Sequence, residues 1–420
     1  ALMVHWGPYS ELGICESWPL SDGDADWARK DYTWEPDAEL FRRQYFDLNR
    51  SFNPLRFQPH EWADFAARVG FRYFIFTTKH HDGFCMYDTS YSDYNVTGAD
   101  CPFHTHQYAN IAKVLFDAFR ARGIHIAPYF SKPDWHCPWY WAPDCELPVA
   151  HWRNPTYDPR KRPELWEKYV EFTHNQLMEL VTKLGPVDIL WLDGGQVGPR
   201  NHQDIRLMEL AERARKINPG LILADRMIGG ETENYITPEQ QVPDHYIPVP
   251  WESCITIGRS FAFGYEDVLK PLRTLTHLLI DVVGKGGNMA LNIGAQPDGR
   301  LPLRARERAL ELGNWLRVHG EAIFETRALA PYFDGEWSFT QNAHARYALW
   351  RLPEGKTMGE SVTIPLPDVR EAKLLGSGAP VRVETFENHA VLHIPEGLRG
   401  ESPIAPVFRL NAVGAASERL

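Results

Sequence analysis

The 420-residue chain is predicted to be an α/β protein: a (β/α)8-like, TIM-type barrel over residues 1–330, followed by a small C-terminal β-sandwich over residues 331–420. Three observations carry that expectation. Short apolar runs, such as Val187 to Asp193 between Gly185-Pro186 and Gly194-Gly195, have the look of strands buried on both faces and alternate with amphipathic helical stretches. Several of these runs end in polar residues followed by glycine or a loop, as strands do at the carboxyl mouth of a parallel barrel. From about residue 330 the helical period stops, and short alternating segments separated by turn residues replace it.

Taken in order, Ala1 to His5 reads as a strand broken at Gly7-Pro8, which places His5 at its carboxyl end. Residues 11–34 form a long irregular segment with Trp18, Trp27, Trp34 and several acids; a loop of that length usually forms a rim or lid over a site. Pro36 to Asn49 and Pro59 to Val69 are helical, the second with Trp62, Phe65, Ala66 and Val69 as its apolar positions. Tyr73 to Lys79 is a buried strand that runs into His80-His81-Asp82-Gly83. Adjacent strand residues point to opposite faces, so the two histidines are poorly placed to share a metal and read instead as hydrogen-bond partners for substrate hydroxyls.

Tyr108 to Arg122, closed by Gly123, is an amphipathic helix, and Ile124 to Ser131 is the next strand, with Tyr129 near its end. Glu164 to Leu184 is a long helix before the strand that ends at Asp193. An isolated Asp-Gly after a strand is ordinarily a turn former. Here Trp191 lies two residues earlier on the same side, and an aromatic beside a strand-end acid is a common lining of sugar pockets. Helix Asp204 to Asn218 stops at Pro219-Gly220, strand Leu221 to Arg226 follows, and a loop rich in Pro, Glu and Asp leads to Trp251-Glu252-Ser253. Helix 266–283, strand Asn288 to Ile293 and helix Leu303 to His319 complete the alternation. The sandwich is read from segments 337–340, 345–350, 361–364, 372–375, 381–386 and 390–394; the small, polar tail from Asn411 is expected to be loosely held.

Composition narrows the partners. A net charge of −11 with no long basic block excludes nucleic acid and anionic membrane as favoured surfaces. No apolar run is long enough for a transmembrane helix. Six cysteines without C-x-x-C spacing argue against a structural zinc and against a dense disulfide scaffold, and neither metal nor cofactor is expected.

Together, His5-Trp6-Gly7-Pro8-Tyr9-Ser10, Lys79-His80-His81-Asp82-Gly83-Phe84, Trp191-Leu192-Asp193-Gly194-Gly195 and Gly286-Gly287-Asn288-Met289-Ala290-Leu291-Asn292-Ile293-Gly294 resemble the α-L-fucosidases of glycoside hydrolase family 29. The resemblance runs from residue 1 to about 330, and the β remainder is similar to that family's C-terminal sandwich. It implies an exo-acting, retaining hydrolase of terminal α-L-fucosyl residues on oligosaccharides or glycoconjugates, secreted or periplasmic, with Asp193 as nucleophile. Glu252, in Pro250-Trp251-Glu252-Ser253-Cys254, looks like the acid/base of one branch of the family, on a loop expected to reach over the sugar; Glu231, Glu233 and Glu239 are the alternatives. By the same resemblance His5, His80, His81, Tyr129, Trp191 and Arg226 line a fucose pocket. The family's acidic-aromatic pair after the first strand has three candidates: Asp26-Trp27, Trp34-Glu35, and Glu16 with Trp18. The first is preferred, so Trp27 joins the substrate-binding set. A non-catalytic carbohydrate-binding protein on the same fold is the reading from another class; it would keep the histidines and tryptophans but has no need of Asp193 and a partner glutamate.

Overall fold

The computed structural model describes residues 1–21, 25–29, 35–145 and 153–412. By compactness the chain divides into two units. The first comprises Ala1–Thr237, Thr256–Leu269 and Ala290–Arg306, and the second Pro238–Ile255, Lys270–Met289 and Glu307–Leu420.

The strands and α-helices up to residue 225 are β1 (Leu2–His5), α1 (Tyr9–Leu12), α2 (Ala38–Phe46), α3 (Pro59–Val69), β2 (Tyr73–Lys79), α4 (Ile111–Arg120), β3 (His125–Ser131), α5 (Pro163–Lys183), β4 (Ile189–Asp193), α6 (Leu207–Ile217) and β5 (Ile222–Asp225). Then come β6 (Glu252–Thr256), α7 (Leu272–Gly284), β7 (Asn288–Gly294) and α8 (Leu303–His319). Local chemistry sets the helix starts: Asp37 caps α2 by accepting from the Leu40 backbone N–H at 2.9 Å, and Pro59 and Pro163 stand in the first turns of α3 and α5, where a missing N–H costs nothing. The strands are apolar on both faces; Phe74, Ile75 and Phe76 of β2 are wholly buried. Helix meets sheet through rings, with Phe119 of α4 stacked on Phe74 at 3.8 Å between centroids.

The first sheet has seven strands in the order β5-β4-β3-β2-β1-β7-β6, the order of a barrel left open between β5 and β6. The pairs β1 with β2 and β7, β2 with β3, β3 with β4 and β4 with β5 are parallel. Among the described residues this is one strand fewer than the expected eight: the stretch between β5 and β6 carries Pro238, Pro243, Pro248 and Pro250, which cannot donate to a ladder, and it makes isolated bridges. The registers bring His5 beside Gly294, Tyr129 beside Trp191, Ser131 beside Asp193, and Leu192 beside Asp225. The polar strand ends seen in the sequence therefore lie along one edge of the sheet.

One placement corrects an expectation. Glu252 is not on a loop: it is the first residue of β6 and is buried, at 1% exposure. The run Glu252-Ser253-Cys254-Ile255-Thr256 mixes polar and apolar residues without clear alternation, so its sequence does not announce a strand.

In the second unit, β8 (Arg327–Asp334), β9 (Trp337–Gln341), β10 (Arg346–Trp350), β11 (Ser361–Ile364), β12 (Val369–Leu374), β13 (Pro380–Thr385), β14 (Ala390–His393) and β15 (Val407–Ala412) form an eight-stranded sheet in the order β11-β14-β13-β12-β15-β10-β9-β8. Its pairings are antiparallel. The inward residues, among them Phe339, Ala348, Ile364, Leu374, Val381, Leu392, Phe408 and Leu410, make one core, so the sheet wraps over itself as a sandwich does. Strands β8 and β15 are absent from the sequence reading. β15 is central, pairing β10 with β12, although it lies where a loose tail was expected to begin.

Candidate active site

Asp193 closes β4 at the carboxyl edge of the parallel sheet. Arg226, the residue after β5, donates from Nη1 to Asp193 Oδ1 at 2.8 Å, and the Tyr129 hydroxyl of β3 donates to Oδ2 at 2.6 Å. His81 Nε2 stands 3.8 Å from the same Oδ2. Burial alone would raise the Asp193 carboxyl, but the Arg226 charge, His81, the Tyr129 hydrogen bond and the Gly194 N–H outweigh it and hold the group below the usual carboxylate range. Asp193 is thus a committed anion at neutral pH.

The backbone around it is equally tied. The Lys132 N–H donates to Asp193 O at 2.9 Å and the Arg226 N–H to Leu192 O at 3.2 Å. Gly194 has φ +93, and a Cβ there would lie 2.3 Å from Pro133 Cδ, so only glycine lets the chain leave β4 in this direction. Arg226 is aimed from behind: its Nε donates to Thr237 Oγ1 at 3.1 Å, and its guanidinium lies 4.7 Å from the ring centre of Trp191.

Three histidines complete the set. His5 Nδ1 donates to Asn292 Oδ1 at 2.7 Å, which leaves Nε2 as the acceptor of a neutral ring, and Asn292 Nδ2 donates to Phe261 O at 2.7 Å. His80 Nδ1 is 2.6 Å from Ser17 Oγ. Burial lowers His5 and His81 to about 4 and His80 well below its usual value, so all three are uncharged at neutral pH. The rings are close: His5 and His80 at 5.7 Å, His80 and His81 at 4.5 Å, and His80 parallel to Tyr129 at 5.9 Å. A fixed anion flanked by a guanidinium, a phenol and neutral imidazoles can receive a polyhydroxylated ligand and attack an electrophilic carbon of it.

Two buried ion pairs brace this edge, and neither is evident in the sequence. Lys132 bonds Asp225, which also accepts from Thr232 Oγ1 at 2.9 Å, tying the ends of β3 and β5 across β4. Lys79 donates to Asp134 Oδ2 at 2.8 Å and to Gln176 Oε1 at 3.0 Å; Asp134 Oδ1 accepts the backbone N–H groups of His136 and Cys137 at 3.1 and 2.9 Å. The turn carrying His80 and His81 is thereby fastened to the loop after β3.

His5, His80, His81, Tyr129, Asp193 and Arg226 are brought together as the sequence predicts. Trp191 has no exposed surface; its ring stacks on Tyr129 at 5.2 Å and underlies Arg226, so it supports both side chains. Trp27 is 48% exposed; its ring lies 6.3 Å from Trp18, whose ring is 4.9 Å from His81. Among the aromatic candidates of this loop, Trp18 stands nearest the histidines. Its sequence neighbour Glu16 is buried and accepts from Ser260 Oγ and the Ala262 N–H at 3.1 and 2.5 Å. Trp34 lies outside the described residues. Ser17, Thr237, Lys132 and Asp225 escaped sequence reading because nothing local marks them, whereas Asn292 carried a signal: an amide inside the apolar run Leu291-Asn292-Ile293. Among the described residues no three His, Cys, Asp or Glu side chains converge in a way that could hold a metal ion.

Residues 2–321 match the family model described as alpha-L-fucosidase. This chain belongs to the α-L-fucosidase family. It is 28% identical to the alpha-L-fucosidase of Dictyostelium discoideum, over 98% of this chain and 90% of that one, and 25% identical to the plasma alpha-L-fucosidase of Homo sapiens, over 93% and 83%. Alpha-L-fucosidase isoenzyme 1 from Paenibacillus thiaminolyticus superposes with a TM-score of 0.79 at 28% identity, covering 98% of this chain and 96% of that one. The protein is thus a glycoside hydrolase with the α-L-fucosidase barrel and C-terminal β domain. No helix among the described residues is long and apolar enough to cross a membrane.

Proposed function

We propose that Asp193 is the nucleophile of a retaining, exo-acting α-L-fucosidase, and the observation that carries this is its charge state: an anion held by Arg226 and Tyr129 at the carboxyl end of a barrel strand. In the first step a carboxylate oxygen of Asp193 attacks the anomeric carbon as the glycosidic oxygen takes a proton from a second carboxyl. In the next step water, deprotonated by that second group, releases fucose with its original configuration. The neutral imidazoles are suited to hold sugar hydroxyls: His5 can accept through Nε2, its Nδ1 being held by Asn292, and His80 keeps Nε2 for a ligand, its Nδ1 being held by Ser17. A fucosylated oligosaccharide or glycan is the substrate.

For the second carboxyl, Glu252 has sequence resemblance behind it, but it opens β6 and so stands at the amino end of its strand. In barrel enzymes that end serves stability, and catalytic groups come from the carboxyl ends and the loops after them. The loop after β5 offers Glu231, Glu233 and Glu239. Glu233 is engaged in the turn, accepting from the N–H groups of Met227 at 3.1 Å and Gly229 at 2.6 Å. Glu239 is exposed, and it follows by two residues the Thr237 that holds Arg226. Glu252, carried by the sequence resemblance, and Glu239 are the two assignments that variants distinguish.

Hydrolysis of an aryl α-L-fucoside by Asp193→Ala, Glu239→Ala and Glu252→Ala, with azide added, separates the possibilities. Asp193→Ala should lose on the order of 10³-fold or more in kcat and give β-fucosyl azide, because azide then enters from the vacated nucleophile's side. The true acid/base variant should recover turnover with azide and give α-fucosyl azide. If Glu239→Ala is unaffected and Glu252→Ala behaves this way, the acid/base is Glu252.

A further inference from the structure

The outer face of the second unit's sheet carries a charge pattern that hydrolysis does not use. Strands β13, β12 and β15 lie side by side and border a concavity of about 640 Å³, within the range of ligand pockets. Ala372, Leu374, Val381 and Leu410 of these strands point into the core, so by strand alternation Glu371, Lys373, Arg382, Arg409 and Asn411 occupy the opposite face. With Arg370 at the irregularity between Val369 and Glu371, the concavity is lined by four cations and one carboxylate. This runs against a chain whose net charge is −11.

The arrangement also violates a local rule. Lys373 pairs directly with Arg409 across β12 and β15, and like charges in opposed positions destabilise a sheet. Arg409 is offset by Glu321 at 3.2 Å. Among the described residues, the side chains of Lys373 and Arg370 have no hydrogen-bond or ion-pair partner. The single carboxylate, Glu371, is already taken by Asn411 Nδ2 at 3.1 Å, and Arg382 meets His393 at 3.1 Å. A cation pair that costs stability and faces a concavity is what an anionic ligand would relieve.

We propose that this groove binds the sulfate esters of an acidic polysaccharide. Adjacent strands are ~4.8 Å apart, so cations on three strands span about 10 Å and match charge repeated along an extended chain better than one small anion. Sulfate stays ionised at every working pH and offers several oxygens in the geometry that guanidinium forks recognise. The acidity of the whole chain opposes broad anionic surfaces such as membrane or duplex, whereas a single polysaccharide strand fits within the groove. The choice of a carbohydrate as the sulfate's carrier rests on the fucosidase reading, and binding is therefore measured apart from hydrolysis.

The test is calorimetric titration of the whole chain with heparin oligosaccharides, their desulfated counterparts and oligogalacturonate, alongside hydrolysis of an aryl α-L-fucoside. Wild type should bind only the sulfated probe. Lys373→Glu and Arg382→Glu should each weaken that binding by about tenfold or more while leaving hydrolysis unchanged. Should either charge reversal fail to fold, Lys373→Gln with Arg370→Gln provides the same comparison. Equal affinity in the variants, or equal binding of the desulfated or uronate probe, overturns the proposal. So does a change in oligomeric state without polysaccharide binding, which would make the surface a self-association face. Loss of hydrolysis in wild type with sulfate binding intact would count against the fucosidase reading and leave the groove standing.

Discussion

Arg226 and Asp193 are the residues whose chemistry is most interdependent. Arg226 keeps Asp193 ionised against burial, so in Arg226→Met the carboxyl must rise, by about 1–3 units for loss of an adjacent guanidinium. Because the attack needs the anion, the acidic limb of the kcat/KM profile should move to higher pH by a similar amount, and an unmoved limb would mean that Asp193 is not the group titrating there. Gly194 makes a second residue-scale case. With φ +93 and Pro133 against its Cα, Gly194→Ala should lower stability by about 1–3 kcal/mol in a denaturant titration and misdirect Asp193. These two positions were readable for different reasons. A carboxylate at the end of an apolar run followed by Gly-Gly is a local pattern, while the identity of its cation depends on which strand lies next to it.

At the scale of elements, the site is held by what fastens strand ends together. The Lys132–Asp225 pair spans from β3 to β5 beneath β4 and is almost wholly withdrawn from water, so removing one partner strands a buried charge. Lys132→Met should therefore cost about 3–5 kcal/mol in urea unfolding, whereas Lys132→Met combined with Asp225→Leu should recover much of it. The double variant is expected to keep reduced kcat with little change in KM, because its strand ends are no longer tied to each other through charge. Full activity in the double variant would show that the pair serves stability alone. Strand existence at β1 to β5 and β7 was legible because those runs are apolar on both faces. β6 was not, since its polar first half reads as loop, and Glu252 was misplaced with it. β15 was overlooked because it stands between a proline-broken segment and a polar tail; its central position comes from pairing with β10 and β12.

For the whole molecule, acid stability sets two opposing groups against each other between about pH 4 and 7. His5 and His81 are lowered to about 4 by burial, so the unfolded chain takes up protons that the folded one refuses, and stability falls as pH drops through that window. Asp82, in contact with the Tyr45 hydroxyl at 2.7 Å, is raised to about 7 by burial; its contribution is full below the unfolded carboxylate value and is lost as pH rises toward 7. Asp82→Asn keeps an acceptor for Tyr45 and removes the opposing slope, so melting temperature should rise more steeply from pH 4 to 7 than in wild type. An unchanged slope in a pH series of thermal melts would show that Asp82 is ionised in the fold.

The amino-acid sequence alone determines the barrel-plus-sandwich class, the family, and which strands end in polar residues, because strand punctuation and hydrophobic period are local properties of the chain. The tertiary structure decided the rest: that Trp191 is buried against Tyr129 and Arg226, that Trp18 stands nearer the histidines than Trp27, that Glu252 opens a strand, and that Lys132 pairs with Asp225 across the strand that ends at Asp193. Each of these depends on partners far apart along the chain. The hydrogen bond that sets the tautomer of His5 joins residues 287 positions apart, and no local pattern encodes such a separation.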